Sequence, residues 1–108
     1  MTPEGIVKKW VKDKFLARYS GHIWALTTHQ GPYGQKGVPD LLFCIYGLFV
    51  ALEIKTEQGE LTALQTASLR KIELAGGISC VVYGRDEAML GEIYAIIDEV
   101  VSLLRERN

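Results

Sequence analysis

The clearest pattern of apolar positions in this chain is a pair of short runs, residues 41–45 and 48–54. Both runs are rich in residues that favour β-strands, and Tyr46-Gly47 between them contains a turn-forming glycine. The pattern predicts a β-hairpin closed by a two-residue loop. A bulge or a longer loop would shift the register of the two strands.

Three charged residues lie at the open end of the predicted hairpin. If the loop contains two residues, Asp40 lies directly opposite Glu53. Side chains alternate along a strand, so Lys55 should project from the same face as Glu53. Two acids that face each other across a ladder destabilise it, and a bound cation would remove this conflict. Pro-Asp also commonly opens a turn and Glu-x-Lys is often a solvated face, and for each motif alone this alternative stays open.

The residue types at this end of the hairpin suit phosphodiester hydrolysis by a divalent metal. Mg²⁺ prefers hard oxygen ligands and is commonly held by one or two carboxylates together with water and substrate phosphate. Asp40 and Glu53 would supply the carboxylates. Lys55 would either help to deprotonate or orient the attacking water or offset the negative charge of the transition state.

The first predicted helix begins at Thr2-Pro3-Glu4, which provides a capping hydroxyl, a first-turn proline and an acid at the positive end of the helix dipole. Glu4 has this ordinary role, and its functional alternative is a third carboxylate near the metal. Apolar residues then recur at helical spacing and should pack on the sheet: Ile6, Val7, Trp10, Val11 and Phe15. The lysines among them should lie mainly toward solvent: Lys8, Lys9 and Lys12.

The other segments alternate between predicted strands and helices. Residues 23–28 and 78–83 have the pattern of strands. Thr62 and Gln65 have the spacing of a capping box, so a second helix should begin here and run to about Ala75.

The last predicted helical region should be capped by Asp86 and interrupted or kinked near Gly91. It carries a broad apolar stripe: Ile93, Ile96, Ile97, Val100, Val101 and Leu104. Most of this stripe should join the core, but a stripe so wide on a small domain could also form a subunit contact.

Composition favours one domain over residues 1–108, because 48% apolar residues supply enough material for a single core. We find no cleavable apolar leader and no apolar run of membrane-spanning length, and we expect a soluble, cytoplasmic protein without a membrane partner. Cys44 and Cys80 fall in predicted buried strands and should be inert core thiols. His22 and His29 lack a spaced partner, so neither is predicted to bind metal.

Charge is distributed unevenly along the chain, although the formal net charge is only −1. Residues 1–55 carry seven basic and four acidic side chains, whereas residues 56–108 carry five basic and nine acidic ones. An excess of positive charge near the proposed site is what a phosphate-contacting surface would show, although the outer face of an amphipathic helix commonly looks the same. The candidate DNA contacts are Lys36, Tyr33, Lys8 and Lys12.

Taken in order, these elements and motifs resemble the VRR-NUC family of the PD-(D/E)XK nuclease superfamily. The resemblance covers nearly the whole chain and is carried by residues 35–40, 53–56, 59–65 and 75–77. It implies an α/β fold with a restriction-endonuclease-like core, in which a mixed central β-sheet is flanked by α-helices in the order αβββαβα.

The resemblance also implies a role for each site residue in a Mg²⁺- or Mn²⁺-dependent endonuclease. The metal ligands would be Asp40, Glu53 and the backbone carbonyl of Ile54. Lys55 would be the catalytic lysine. The site would be completed by Gln65 and by Glu4, which is also a candidate metal ligand.

Stand-alone members of this length are similar to phage and bacterial proteins that act as dimers on branched DNA such as four-way junctions. We therefore expect a Holliday-junction-resolving homodimer in the cytoplasm of a bacterial or phage-infected cell. Two alternatives stay open, namely a flap or single-strand nuclease with the same site, and a non-catalytic DNA-binding module.

Overall fold

The computed structural model describes residues 1–29 and 36–107. Within them the element order is the predicted αβββαβα. The elements are α1 (Pro3–Arg18), β1 (Ile23–Thr27), β2 (Leu41–Ile45), β3 (Leu48–Lys55), α2 (Ala63–Leu74), β4 (Ile78–Tyr83) and α3 (Glu87–Glu106). The strands form one mixed sheet in the order β1-β2-β3-β4, with antiparallel pairs from β1 to β3 and a parallel pair between β3 and β4.

The β2–β3 hairpin has the predicted register, with Ile45 paired to Leu48 and Leu41 paired to Leu52. Tyr46 and Gly47 form the two-residue loop, and both have positive φ angles, of 51° and 84°. Such angles belong to turns whose twist matches that of the flanking strands. The register carried one step further places Asp40 across from Glu53, so the sequence prediction of the hairpin is confirmed.

One face of the sheet is covered by α1 and α3 and holds the main apolar core. Phe15 of α1 stacks on Phe43 of β2, with ring centroids 4.9 Å apart and planes inclined by 3°. The buried apolar positions on the strands of this face are Leu41, Phe43, Ile45, Leu48, Val50, Leu52, Ile54 and Val82. Burial of so much apolar surface is the main source of stability in a domain of this size.

The opposite face is covered only in part, because α2 packs over β3 and β4. On β1 and β2 this face is open, and the Trp24 side chain is 62% exposed. The prediction that Cys44 is buried is wrong: Cys44 is exposed, since strand alternation turns it away from the face that buries Phe43 and Ile45. Cys80 is half-buried.

The helices begin at the predicted caps. The side chains of Thr2, Thr62 and Asp86 accept hydrogen bonds from backbone N–H groups in the first turns of α1, α2 and α3. The expected break near Gly91 is absent, and α3 is one continuous helix of 20 residues. A single glycine inside a helix lowers helix stability by only about 1 kcal/mol relative to alanine, which the rest of a long helix can offset. Among the described residues, none of the helices has both the length and the apolar character that crossing a bilayer requires.

Candidate active site

The two predicted acids lie at the open end of the hairpin, and both are buried, with exposures of 3% for Asp40 and 1% for Glu53. Asp40 immediately precedes β2, and Glu53 lies near the end of β3. The Asp40 carboxylate is fixed by the backbone of the opposite strand, since the N–H of Ile54 donates to Asp40 Oδ2 at 2.8 Å. The other carboxylate oxygen, Asp40 Oδ1, lies 3.4 Å from Lys8 Nζ.

The Glu53 carboxyl group has one well-bonded oxygen and one without a partner. Gln65 Nε2 donates to Glu53 Oε1 at 2.8 Å, and Lys55 Nζ lies 4.0 Å from the same oxygen. Glu53 Oε2 is buried and has no hydrogen-bond partner within the described part of the chain. Buried polar atoms are nearly always paired, so an orphaned carboxyl oxygen indicates a missing ligand or water.

The electrostatic state of this pair follows from burial and from the closeness of the two acids. Burial raises the pKa of Glu53 to about 8, and charge repulsion from Asp40 acts in the same direction, while Lys55 acts in the opposite direction. Without a cation, burial beside Asp40 therefore favours the protonated form of Glu53. A divalent cation bound between the acids would favour the ionised form.

Gln65 has the predicted structural role at the start of α2, and its side chain also contacts Glu53. Its Oε1 accepts from the N–H of Thr62 at 2.9 Å, and its own N–H donates to Thr62 Oγ1 at 3.1 Å, which completes the capping box. The amide nitrogen of the same side chain binds Glu53. The start of α2 thus holds the Glu53 carboxyl group in place.

A cleft of about 310 Å³ opens onto the two acids. Its lining residues are Glu4, Lys8, Thr28, His29, Asp40, Glu53 and Gln65. The structure therefore brings Glu4 of α1 and the side-chain amide of Gln65 in α2 to the same cleft as the two acids of the hairpin.

Thr28 is a lining residue that was not predicted from the sequence to belong to the site. The N–H of Thr28 donates to the Asp40 carbonyl at 3.0 Å, and Thr28 Oγ1 donates to the Pro39 carbonyl at 2.7 Å. Thr28 thereby anchors the chain just before β2. The β1–β2 register would have indicated this pairing, but hairpin rules fix a register only across a short loop, not across residues 28–40.

Two of the α1 lysines do not lie as expected, whereas Lys9 is exposed as predicted. Lys8 and Lys12 were predicted to face solvent, but both are half-buried. Lys8 Nζ lies 3.4 Å from Asp40 Oδ1, and Lys12 Nζ donates to Thr27 Oγ1 at 2.8 Å. The reason is that α1 packs across β1 and β3, which turns this side of the helix toward the strand ends.

Of the other predicted DNA contacts, Lys36 is exposed in the turn just before Gly37, and Tyr33 lies outside the described residues. Gly37 has a left-handed φ of 81°, and a Cβ added to it would lie 2.9 Å from the backbone carbonyl of Leu64. The turn is therefore pressed against the first turn of α2, and only glycine fits there.

Few side chains at the site could act as metal ligands. Within residues 1–29 and 36–107, no group of three or more His, Cys, Asp or Glu side chains is close enough together to hold a metal. The two buried acids supply two carboxylates, and one of their oxygens has no hydrogen-bond partner among the described residues. This set fits a hard cation such as Mg²⁺, which keeps several waters and needs few protein ligands. Metal ligation by Glu4 and by the Ile54 carbonyl stays a prediction.

Comparison with known proteins supports the fold. A scan against protein-family models finds no match, and neither does a search of curated proteins. Among solved structures, the chain is similar to one described as a VRR_NUC domain, with 24% identity, a TM-score of 0.61, and coverage of 78% of this chain and 86% of that one.

A second similar structure is Archaeoglobus fulgidus Hjc, described as a Holliday junction resolvase from an archaeal hyperthermophile. The identity is 15% and the TM-score 0.50, and the match covers 70% of this chain and 66% of that one. The chain shares its fold with these structures, so the predicted fold class, a mixed central sheet flanked by helices, is confirmed. At these identities the likeness establishes the fold, and function has to be argued from the site.

Proposed function

We propose that residues 1–108 form one nuclease domain, a metal-dependent endodeoxyribonuclease that hydrolyses phosphodiester bonds in DNA. The observation that carries this proposal is the buried Asp40–Glu53 pair, with one orphaned carboxyl oxygen and a lysine beside it. A chain selected for stability alone has little reason to bury two acids side by side at a strand end.

The residues that would hold Mg²⁺ or Mn²⁺ are Asp40, Glu53 and the backbone carbonyl of Ile54, with Glu4 as a further candidate. When bound, the cation would polarise the phosphoryl oxygen and make water a better nucleophile. Gln65 keeps Glu53 Oε1 in a fixed direction through its 2.8 Å hydrogen bond, and this leaves Oε2 for the ligand.

Lys55 is the proposed catalytic lysine. Its ammonium group projects from the same strand face as Glu53 and lies 4.0 Å from Glu53 Oε1. In hydrolysis the water oxygen forms a bond to phosphorus, and the bond from phosphorus to the leaving sugar oxygen breaks. The ammonium group would orient the attacking water and offset the negative charge that builds up on the phosphoryl oxygens.

We further propose branched DNA as the substrate, with the enzyme acting as a homodimer in the cytoplasm of a bacterial or phage-infected cell. The fold likeness to a Holliday junction resolvase supports this choice. One chain holds one site, so symmetric cutting of two strands needs two chains related by a two-fold axis. The proposed substrate contacts are Lys36, Lys8, Lys12 and Tyr33.

A flap or single-strand nuclease with the same residues is the second candidate, and it would be expected to act as a monomer. A non-catalytic DNA-binding module is the third. The two buried acids disfavour it, because binding phosphate alone calls for cations rather than carboxylates.

The test compares native protein with Lys55→Met and Asp40→Asn on four-way junction, flap, single-stranded and duplex DNA with Mn²⁺. Asparagine retains an oxygen that accepts the Ile54 N–H, so Asp40→Asn should fold. We expect both variants to lose cleavage by at least about 10²-fold. Lys9→Met is the matched control, since Lys9 pairs with Asp13 on the exposed side of α1.

Several results of this test would count against the proposal. Cleavage that persists in Asp40→Asn, or that needs no divalent cation, would place the chemistry elsewhere. Equal cutting of all four substrates would refute a preference for branched DNA. Preferred cutting of flap or single-stranded DNA, or a monomeric mass under cleavage conditions, would favour the flap or single-strand nuclease. Metal-independent binding with no cutting in Mn²⁺ would favour the binding module.

A further inference from the structure

We infer that Lys8 is the resident counter-ion of Asp40 and competes with a divalent cation for the same carboxylate oxygen. This inference rests on the proposed metal site. It gives Lys8 a role in setting how readily the site loads, in addition to the proposed role in contacting DNA.

The two oxygens of Asp40 have different partners, and this difference identifies the contested atom. Oδ2 accepts the hydrogen bond of the Ile54 N–H at 2.8 Å, which leaves Oδ1 as the oxygen free to ligate a cation. Lys8 Nζ lies 3.4 Å from that oxygen. An ammonium group and a divalent cation cannot both approach Asp40 Oδ1 closely without strong charge repulsion.

The Lys8–Asp40 contact differs from the other ion pairs of α1. Lys9 pairs with Asp13 and Lys14 with Glu87, and in both pairs the two side chains are well exposed. The Lys8 side chain is only 26% exposed, and its partner is buried. Exposed pairs contribute little, whereas a pair with a buried member is less screened by solvent.

Each of the two buried acids of the hairpin thus has one lysine beside it. Lys55 lies beside Glu53, and Lys8 lies beside Asp40. A cation that binds between the acids would release Lys8 from Asp40 Oδ1. Because the Lys8 side chain is long and flexible, its ammonium group could then remain at the cleft wall. There it could donate a hydrogen bond to a phosphate oxygen of the substrate.

The test is a calorimetric titration of Mn²⁺ into metal-free protein without DNA, at constant ionic strength. Lys8→Met should bind Mn²⁺ about threefold to tenfold more tightly than native protein, because the competing charge is gone. Lys8→Arg keeps the charge and should stay within about twofold of native affinity. Lys9→Met is the control and should bind as native protein does.

A second readout keeps the test decisive if Lys8→Met folds poorly. Lys8→Gln is also neutral, and addition of Mn²⁺ should raise its thermal midpoint more than that of native protein. If native protein binds Mn²⁺ but neither neutral variant binds it more tightly, this inference fails while the proposed function stands. If native protein and Asp40→Asn bind Mn²⁺ equally, or neither binds it, the proposed metal site fails and this inference fails with it.

Discussion

The two faces of the central sheet have opposite character, although the same strands build both. On the face under α1 and α3, Val50, Leu52 and Ile54 of β3 are fully buried in an apolar core. On the other face, β3 presents exposed Phe49 near one end and buried Glu53 near the other. Alternation along a single strand thus separates the residues that stabilise the fold from those of the candidate site.

The difference shows how a small domain can keep an unfavourable group of charges. Two buried acids cost free energy, and so does a carboxyl oxygen without a partner in the described part of the chain. A folded protein of this size has a free energy of unfolding of only about 5–15 kcal/mol. The well-packed face has to supply that stability. Substitutions on the two faces should therefore have effects of different size and sign.

The largest expected effect lies on the packed face. Phe15→Ala should lower the free energy of unfolding by about 3–5 kcal/mol, because Phe15 is fully buried and stacks on Phe43. Urea denaturation followed by circular dichroism measures this change. Leu16→Ala, one residue further along the exposed side of α1, is the control and should cost much less. Equal losses in the two variants would contradict the contrast between the faces.

An effect of intermediate size that depends on pH is expected at the site. The pKa of Glu53 is about 8 in the folded protein against an ordinary 4.5, so the folded state binds more protons than the unfolded state between these pH values. The free energy of unfolding should therefore decrease as pH rises from about 4.5 to about 8, by roughly 2 kcal/mol or more.

The measurement is urea denaturation at several pH values for native protein and Glu53→Gln. The difference in stability between the two proteins should change in the variant's favour as pH rises, because glutamine cannot ionise. Saturating Mn²⁺ should reduce the pH dependence of native protein, since a cation stabilises the ionised carboxylate. Parallel pH profiles for native protein and the variant would show that Glu53 has an ordinary pKa.

The smallest effect is expected on the open part of the site face. Trp24→Thr should change the free energy of unfolding by less than about 1 kcal/mol, because Trp24 is 62% exposed and threonine also favours strands. Thermal unfolding with a parallel mass measurement by light scattering checks this. A larger loss accompanied by a change from dimer to monomer would show that a second copy covers this face.

The sequence predicted those features that depend on neighbours along the chain. The hairpin register follows from the short loop at Tyr46-Gly47, and with it the closeness of Asp40, Glu53 and Lys55. The three helix caps were likewise predicted from local motifs. These rules act over a few residues, so they need no knowledge of the tertiary arrangement.

Features that depend on what packs against a helix or strand could not be predicted from the sequence. A continuous apolar run such as residues 41–45 does not show that one face of β2 is left uncovered, so the exposure of Cys44 was missed. The contact of Lys8 with Asp40 depends on how α1 lies across the sheet. Nothing in the local pattern around Lys8 specifies that crossing.

Gly37 shows how a screen of variants for loss of DNA cleavage could point to a residue that does not contact the substrate. Gly37 has no side chain to offer a substrate, yet a methyl group there would push against the Leu64 backbone. The adjacent Gln65 amide, which holds Glu53, would move with that backbone. Substitution of Gly37 would therefore reduce cleavage as substitution of Asp40 or Glu53 would, although Gly37 contributes only by having no side chain at this contact.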